Sequence, residues 1–221
     1  MTRRRMKQIP MFEEQAAPKR ASKPPRARIS RKAKKLSQYY TQPADAERIA
    51  KFALSCVPNA QRILEPSAGK GALIAALRAL NPDLAITAVD LDAENASGLL
   101  RRFPDVFVAR ADFLNMPYPS IFDLVVMNPP FENGSVAAHV GRALLFAPDV
   151  VCHCPITTLA GQERRERLWS RCDLNALAVC STRPKYLDEG GKTDMCTIHV
   201  TACLEPRDPS EPRNVRVEFW P

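Results

Sequence analysis

Three stretches of this sequence, LAITAVD (84–90), FDLVVMN (122–128) and DVVCHC (149–154), are short and largely apolar, and QRILE (61–65) reads as a further strand. A strand with one face in water alternates apolar and polar residues, so strands of this kind need cover on both faces. Between them lie segments with apolar residues at helical spacing: AERIAKFALSCV (46–57), KGALIAALRAL (70–80), Ala93 to Leu100, and SVAAHVGRALLFA (135–147). Helices alternating with buried strands imply a mostly parallel sheet with helices on both faces, a Rossmann-like α/β fold. DVFVARAD (105–112) adds a strand, a charged helix is expected near Arg164 to Arg171, and LNALAVCST (174–182) and MCTIHVTACL (195–204) complete the set. The tail RNVRVEFWP has the alternation of one more edge strand behind a Pro-rich lead-in.

At 221 residues and 45% hydrophobic content the chain can bury one full-sized core. No apolar run approaches the roughly 18 residues of a membrane span. The basic start MTRRRMKQIP has no apolar stretch behind it, as a secretory signal would. Seven cysteines, an odd number placed in core segments, suit reduced thiols and a cytoplasmic location. The net charge of +8 is uneven: residues 1–36 hold 13 of the 32 basic residues against two glutamates, and the remainder is slightly acidic. A Pro-rich, highly charged leader cannot offset its ordering entropy by burial. Residues 1–36 are therefore expected as a flexible basic arm drawn to polyanions, and residues 37–221 as the folded domain.

Strand 61–65 runs into Glu65-Pro66-Ser67-Ala68-Gly69-Lys70-Gly71 and then a helix. Small residues there let a ligand approach the backbone closely. The loop lacks the third glycine of the dinucleotide fingerprint, and the chain has no Walker-type loop. Glu65 favours a ligand presenting a cationic amine. Asp90 closes the next strand about 20 residues on, where a carboxylate can accept from ribose hydroxyls. Asp112 and Phe113 close the third, placed for an adenine amino group and ring.

EPSAGKG, VDLD, ADF and NPPF, in this order and spacing, resemble the class I S-adenosylmethionine-dependent methyltransferases, and within them the amino-methyltransferases, most of all the adenine-N6 DNA enzymes. QYYTQP (38–43) is similar to the segment such enzymes place against the cofactor, with Gln42 as a departure between Thr41 and Pro43. The resemblance covers about residues 37 to 204. It implies a seven-stranded sheet with an antiparallel last strand. It implies S-adenosylmethionine as cofactor, held by Tyr40, Thr41, Glu65, Ser67, Gly69, Gly71, Asp90, Asp112, Phe113 and Asn128. Asn128, Pro129, Pro130 and Phe131 become the catalytic set.

That set has a chemical reason. An exocyclic amino nitrogen is a poor nucleophile because its lone pair is delocalised into the ring. Two fixed acceptors for its hydrogens, the Asn128 side-chain oxygen and the Pro129 carbonyl, favour the pyramidal form that attacks a sulfonium methyl. Two successive prolines stiffen the backbone that carries them. Phe131 offers a ring for an extruded base, with stacking worth on the order of 1–3 kcal/mol.

The expected activity is methyl transfer to adenine N6 in DNA, with low or short-site specificity because little chain is left for a recognition domain. Alternatives are an RNA base methyltransferase, a protein glutamine methyltransferase and a catalytically idle nucleic-acid-binding scaffold. A nucleotide-dependent oxidoreductase is disfavoured by the glycine pattern. Gln8-Ile9-Pro10-Met11-Phe12 resembles the peptide by which bacterial proteins dock on the DNA sliding clamp. Lys185, Tyr186 and Lys192, between the last two core strands, are candidate nucleic-acid contacts. Cys152, His153 and Cys154 alternate in a strand, which is poor metal geometry, so His139, His153 and His199 are expected as packed histidines.

Overall fold

The computed structural model describes residues 41–117, 121–131, 134–181, 194–206, 208, 210 and 214–221. The basic arm with its Gln8–Phe12 segment, Tyr40, and the stretch from Arg183 to Lys192 lie outside the described residues.

Five helices and eight strands are described. In chain order they are α1 (Pro43–Cys56), β1 (Arg62–Glu65), α2 (Ala72–Leu80), β2 (Ala85–Asp90), α3 (Ala93–Arg102), β3 (Phe107–Arg110), β4 (Leu124–Met127), α4 (Ser135–Ala143), β5 (Asp149–Pro155), α5 (Gln162–Arg167), β6 (Cys172–Cys180), β7 (Met195–Ala202) and β8 (Arg216–Trp220). The strands form one sheet in the order β3-β2-β1-β4-β5-β7-β6-β8. Strands β1 to β5 are parallel, and β7 lies antiparallel between β5 and β6. The order reverses beside β1, where open α/β sheets leave a crevice at the carboxyl ends of the strands.

Both faces are covered, as the continuous apolar strands require. Leu124, Val126, Ile63, Ile86 and Val151 pack with α1, α2 and Leu99 of α3. Their neighbours Val125, Met127, Leu64, Val89, Val150 and Cys152 face the other way, onto Val136 and Val140 of α4 and onto Phe146. The same alternation puts Cys152 and Cys154 on the α4 side. His153, 1% exposed, hydrogen-bonds Thr197 through Nδ1 at 2.9 Å.

The tail supplies the edge strand that its alternation suggests, an eighth beside the seven that the resemblance implies. β8 runs parallel to β6 and covers its outer edge, which would otherwise present unpaired backbone groups. Trp220 packs edge-on against Phe52 of α1, with ring centroids 5.8 Å apart. β3 is shorter than the expected 105–112, because Asp112 already caps a 3-10 turn over Phe113–Asn115. The charged helix stops at Arg167, and β6 starts at Cys172, two residues earlier than its apolar pattern suggests.

Candidate functional site

Asp112, Asp90, Glu65 and Asn128 follow or end four successive strands in spatial order, β3, β2, β1 and β4. Adjacent strands lie about 4.8 Å apart, so the row has the length of an extended ligand. Three of them arise from one local cause: β1, β2 and β4 each end where a buried apolar run meets a polar residue.

Glu65 is 2% exposed, and its Oε2 has no hydrogen-bond partner among the described residues. Burial, joined by the neighbouring charge of Asp90, pushes its carboxyl well above the usual range, against a hydrogen bond from the Ile74 backbone. A buried acceptor left open is costly until something donates to it. A ligand ammonium group would do so and would restore the charged carboxylate.

Asp90 is a hub. Its Oδ2 accepts from the Gly69 N–H at 2.7 Å, and its Oδ1 from the Asp92 N–H at 2.8 Å and Asn95 Nδ2 at 3.2 Å. It is 9% exposed. The carboxylate expected to receive ribose hydroxyls thus also stitches the glycine loop to β2. The Gly69 N–H is taken by Asp90, so it is not a free donor for a ligand. Ser67 is half-buried in the same loop. Gly71 has φ +77°, and a Cβ there would lie 2.5 Å from Phe103 Cε2 and 2.7 Å from Leu99 Cδ2. Its smallness serves helix packing as well as any ligand. Asp92 caps α3 by accepting from Glu94 and Asn95.

Asp112 is exposed, and its carboxylate accepts from the Leu114 N–H (3.0 Å) and Asn115 Nδ2 (2.7 Å). Phe113 departs from expectation. It is 3% exposed and packs on Phe146 at 5.1 Å and His139 at 5.8 Å. The Phe113 ring therefore lies among core side chains, next to the exposed Asp112. Burial lowers the pKa of His139, opposed by hydrogen bonding to Ser135 and the charge of Asp112.

At the end of β4, Asn128 is 9% exposed and Pro129 buried, while Pro130 is exposed and Phe131 half-buried. The loop therefore runs from the core to the surface, with its amide at the inner end. Asn128 Nδ2 donates to Thr41 Oγ1 at 2.9 Å. That bond fixes which way the amide is turned and points Oδ1 away from Thr41.

Asn95 and the Thr41–Asn128 bond were not foreseen as parts of the site. The first sits in the opening turn of α3 with no motif of its own. The second joins residues 87 positions apart.

An extended ligand with an ammonium group, a diol and an aromatic amine matches these acids in kind and order. The orphaned Glu65 Oε2 is the observation that fits S-adenosylmethionine best.

Residues 46–148 match the family described as the methyltransferase small domain. No curated protein matches the chain. Among solved structures, a Pyrococcus horikoshii protein provisionally described as an RNA methyltransferase superposes with a TM-score of 0.62 at 18% identity, over 76% of this chain and 89% of that one. An Agrobacterium tumefaciens protein provisionally described as an O-methyltransferase gives 0.57 at 18% identity, over 79% and 84%. The 23S rRNA methyltransferase ErmE gives 0.55 at 21% identity, over 76% and 71%. At these identities the likeness establishes the fold.

Proposed function

We propose that this S-adenosylmethionine-dependent methyltransferase of the class I fold methylates an exocyclic amino nitrogen of a nucleic-acid base, with RNA as its substrate. When bound, the cofactor supplies an electrophilic methyl group on a sulfonium. Everything else comes from the chain. Asn128 Oδ1 and the Pro129 carbonyl accept the two amino hydrogens, and Thr41 holds the amide in that orientation. Phe131, at the outer end of the loop, is placed to meet the base. Positioning carries most of the rate, since the product ammonium loses its proton unaided.

The Asn128–Thr41 bond at the end of β4, beside the Glu65 and Asp90 site, carries this reading. RNA is favoured because the Pyrococcus protein and ErmE are both described as RNA methyltransferases. The arm, with its excess of basic residues, suits any polyanion. Adenine N6 of DNA is the second reading, favoured by the EPSAGKG, VDLD, ADF and NPPF set.

One assay separates the two. Labelled S-adenosylmethionine is offered with RNA, duplex DNA and single-stranded DNA, and the methylated nucleoside is identified by mass spectrometry. A methylamino base in RNA is expected. Asn128→Ala should lower turnover by about 10²–10³ and lower cofactor affinity far less than that. An Asn128→Ala enzyme of full activity would refute the clamp. Methylation confined to DNA would select the second reading.

A further inference from the structure

At the β8 edge the sheet is left open. Among the described residues this last strand pairs only with β6. The Trp220 carbonyl points inward and accepts from the Ser181 N–H at 2.8 Å. Backbone groups of alternate residues point to opposite edges of a strand. Arg216, Glu218 and Trp220 therefore bond inward, and Val215, Val217 and Phe219 turn their N–H and C=O groups outward. None of the described residues hydrogen-bonds those outward groups. Such an edge is a template for another strand, and proteins commonly blunt it with proline, lysine, a bulge or a covering segment. β8, RVEFW, has neither proline nor lysine.

The same alternation divides the side chains. Arg216 and Trp220 lie toward α1, both against Phe52. Val217 and Phe219 face the other way, beside Leu177 and Val179 of β6, and are 51% and 72% exposed. The edge thus joins unpaired backbone, exposed apolar side chains and two opposite charges two residues apart.

We propose that β8 is the docking edge for a second copy of this chain, the two strands running antiparallel about a two-fold axis at Val217. Charge selects both the partner and the register. With Val217 opposite its counterpart, Arg216 of each copy faces Glu218 of the other, at the closer spacing of a pair that shares no backbone bonds. Val215 then faces Phe219, and these outward-turned pairs exchange their backbone hydrogen bonds. Moving the axis by one residue sets Arg216 against Arg216 or Glu218 against Glu218, which like charge opposes. The other edge, β3, also exposes a ring, Phe107, but carries Arg110 with no acid to face it. A strand pair of this length falls short of the roughly 1,600 Å² of a standard interface, so the dimer is reversible and grows with concentration. The inference is independent of the methyl acceptor.

The test is sedimentation velocity of the full chain from about 1 μM to about 1 mM, with circular dichroism to show that each variant folds. A dimer that builds up with concentration is expected. Phe219→Lys, which puts a charge on the exposed edge and touches neither Arg216 nor Glu218, should weaken it severalfold. Arg216→Glu and Glu218→Arg should each weaken self-association too, because like charges then meet. An equimolar mixture of those two variants should associate more tightly than either alone, since each supplies the charge that the other lacks. A chain that stays monomeric throughout would overturn the proposal. So would a dimer that Phe219→Lys leaves intact, or a mixture no tighter than its parts.

Discussion

Glu65 shows how one residue can be both a defect and a tool. Buried with an open oxygen, it holds a proton more tightly in the folded chain than in the unfolded one. A carboxyl whose folded pKa is raised costs nothing below its unfolded value of about 4.3, and its penalty grows as pH rises toward the folded value. Glu65→Gln removes that penalty. The ligand-free variant should melt higher than the parent at pH 7 and show little gain at pH 4.5, by scanning calorimetry. About 2–4 °C per kcal/mol is the conversion for a domain of this size. Its affinity for S-adenosylmethionine should fall at the same time, by titration calorimetry. A variant that melts higher yet binds normally would mean that the open oxygen serves no ligand. Asn128 differs in that its amide nitrogen is already held by Thr41.

At the scale of elements, the glycine loop is a joint between β1, β2, α2 and α3 as much as a cradle. Asp90 ties Gly69 to β2, Arg102 of α3 donates to the Lys70 carbonyl at 3.0 Å, and Gly71 lets Phe103 and Leu99 close over the start of α2. Gly71→Ala faces two separate costs, a left-handed φ and an overlap with Phe103. Together they should cost about 2–4 kcal/mol in urea unfolding. Adding Phe103→Ala should remove the overlap and leave the backbone strain, so the two substitutions together cost less than their sum. Simple additivity would show that the overlap is relieved elsewhere. β8 acts in a similar way at the other edge, where Trp220 and Arg216 join the tail to α1.

At the scale of the whole molecule all three histidines are buried, with burial lowering His139 and His153 while His199 is raised, its burial outweighed by the hydrogen bond to Asp149. Burial lowers His153 to about 4, so stability falls as pH drops below the unfolded value of about 6.5, where the unfolded chain binds a proton that the folded chain refuses. His199, raised to about 9, contributes stability that is fully present below about 6.5 and is lost as pH rises through 9. These two histidines therefore favour neutrality, each by at most about 1.4 kcal/mol per pH unit, while the Glu65 penalty offsets part of the acid limb. Denaturant unfolding between pH 4 and 9.5 checks this. His199→Gln should flatten the alkaline decline and leave the acid one. An unchanged alkaline limb would place its source elsewhere. No described helix is long and apolar enough to cross a membrane.

By itself the sequence determined the two-sided sheet, the order of its strands and helices, and the acids and the Asn-Pro-Pro-Phe loop at the strand ends. These are readable because periodicity and strand-end polarity act between near neighbours in the chain. The tail strand was legible only as an alternation, since nothing local says which edge it joins. Other features belong to tertiary structure alone. Phe113 turns into the core, Gly71 answers to Phe103, Asn95 reaches Asp90, Thr41 holds Asn128, and Cys56 meets Arg216. Most of these contacts join residues 32 to 160 positions apart, and all depend on the angle and depth at which helices settle on the sheet. No local period encodes that, because packing is decided only when every element competes for the same space.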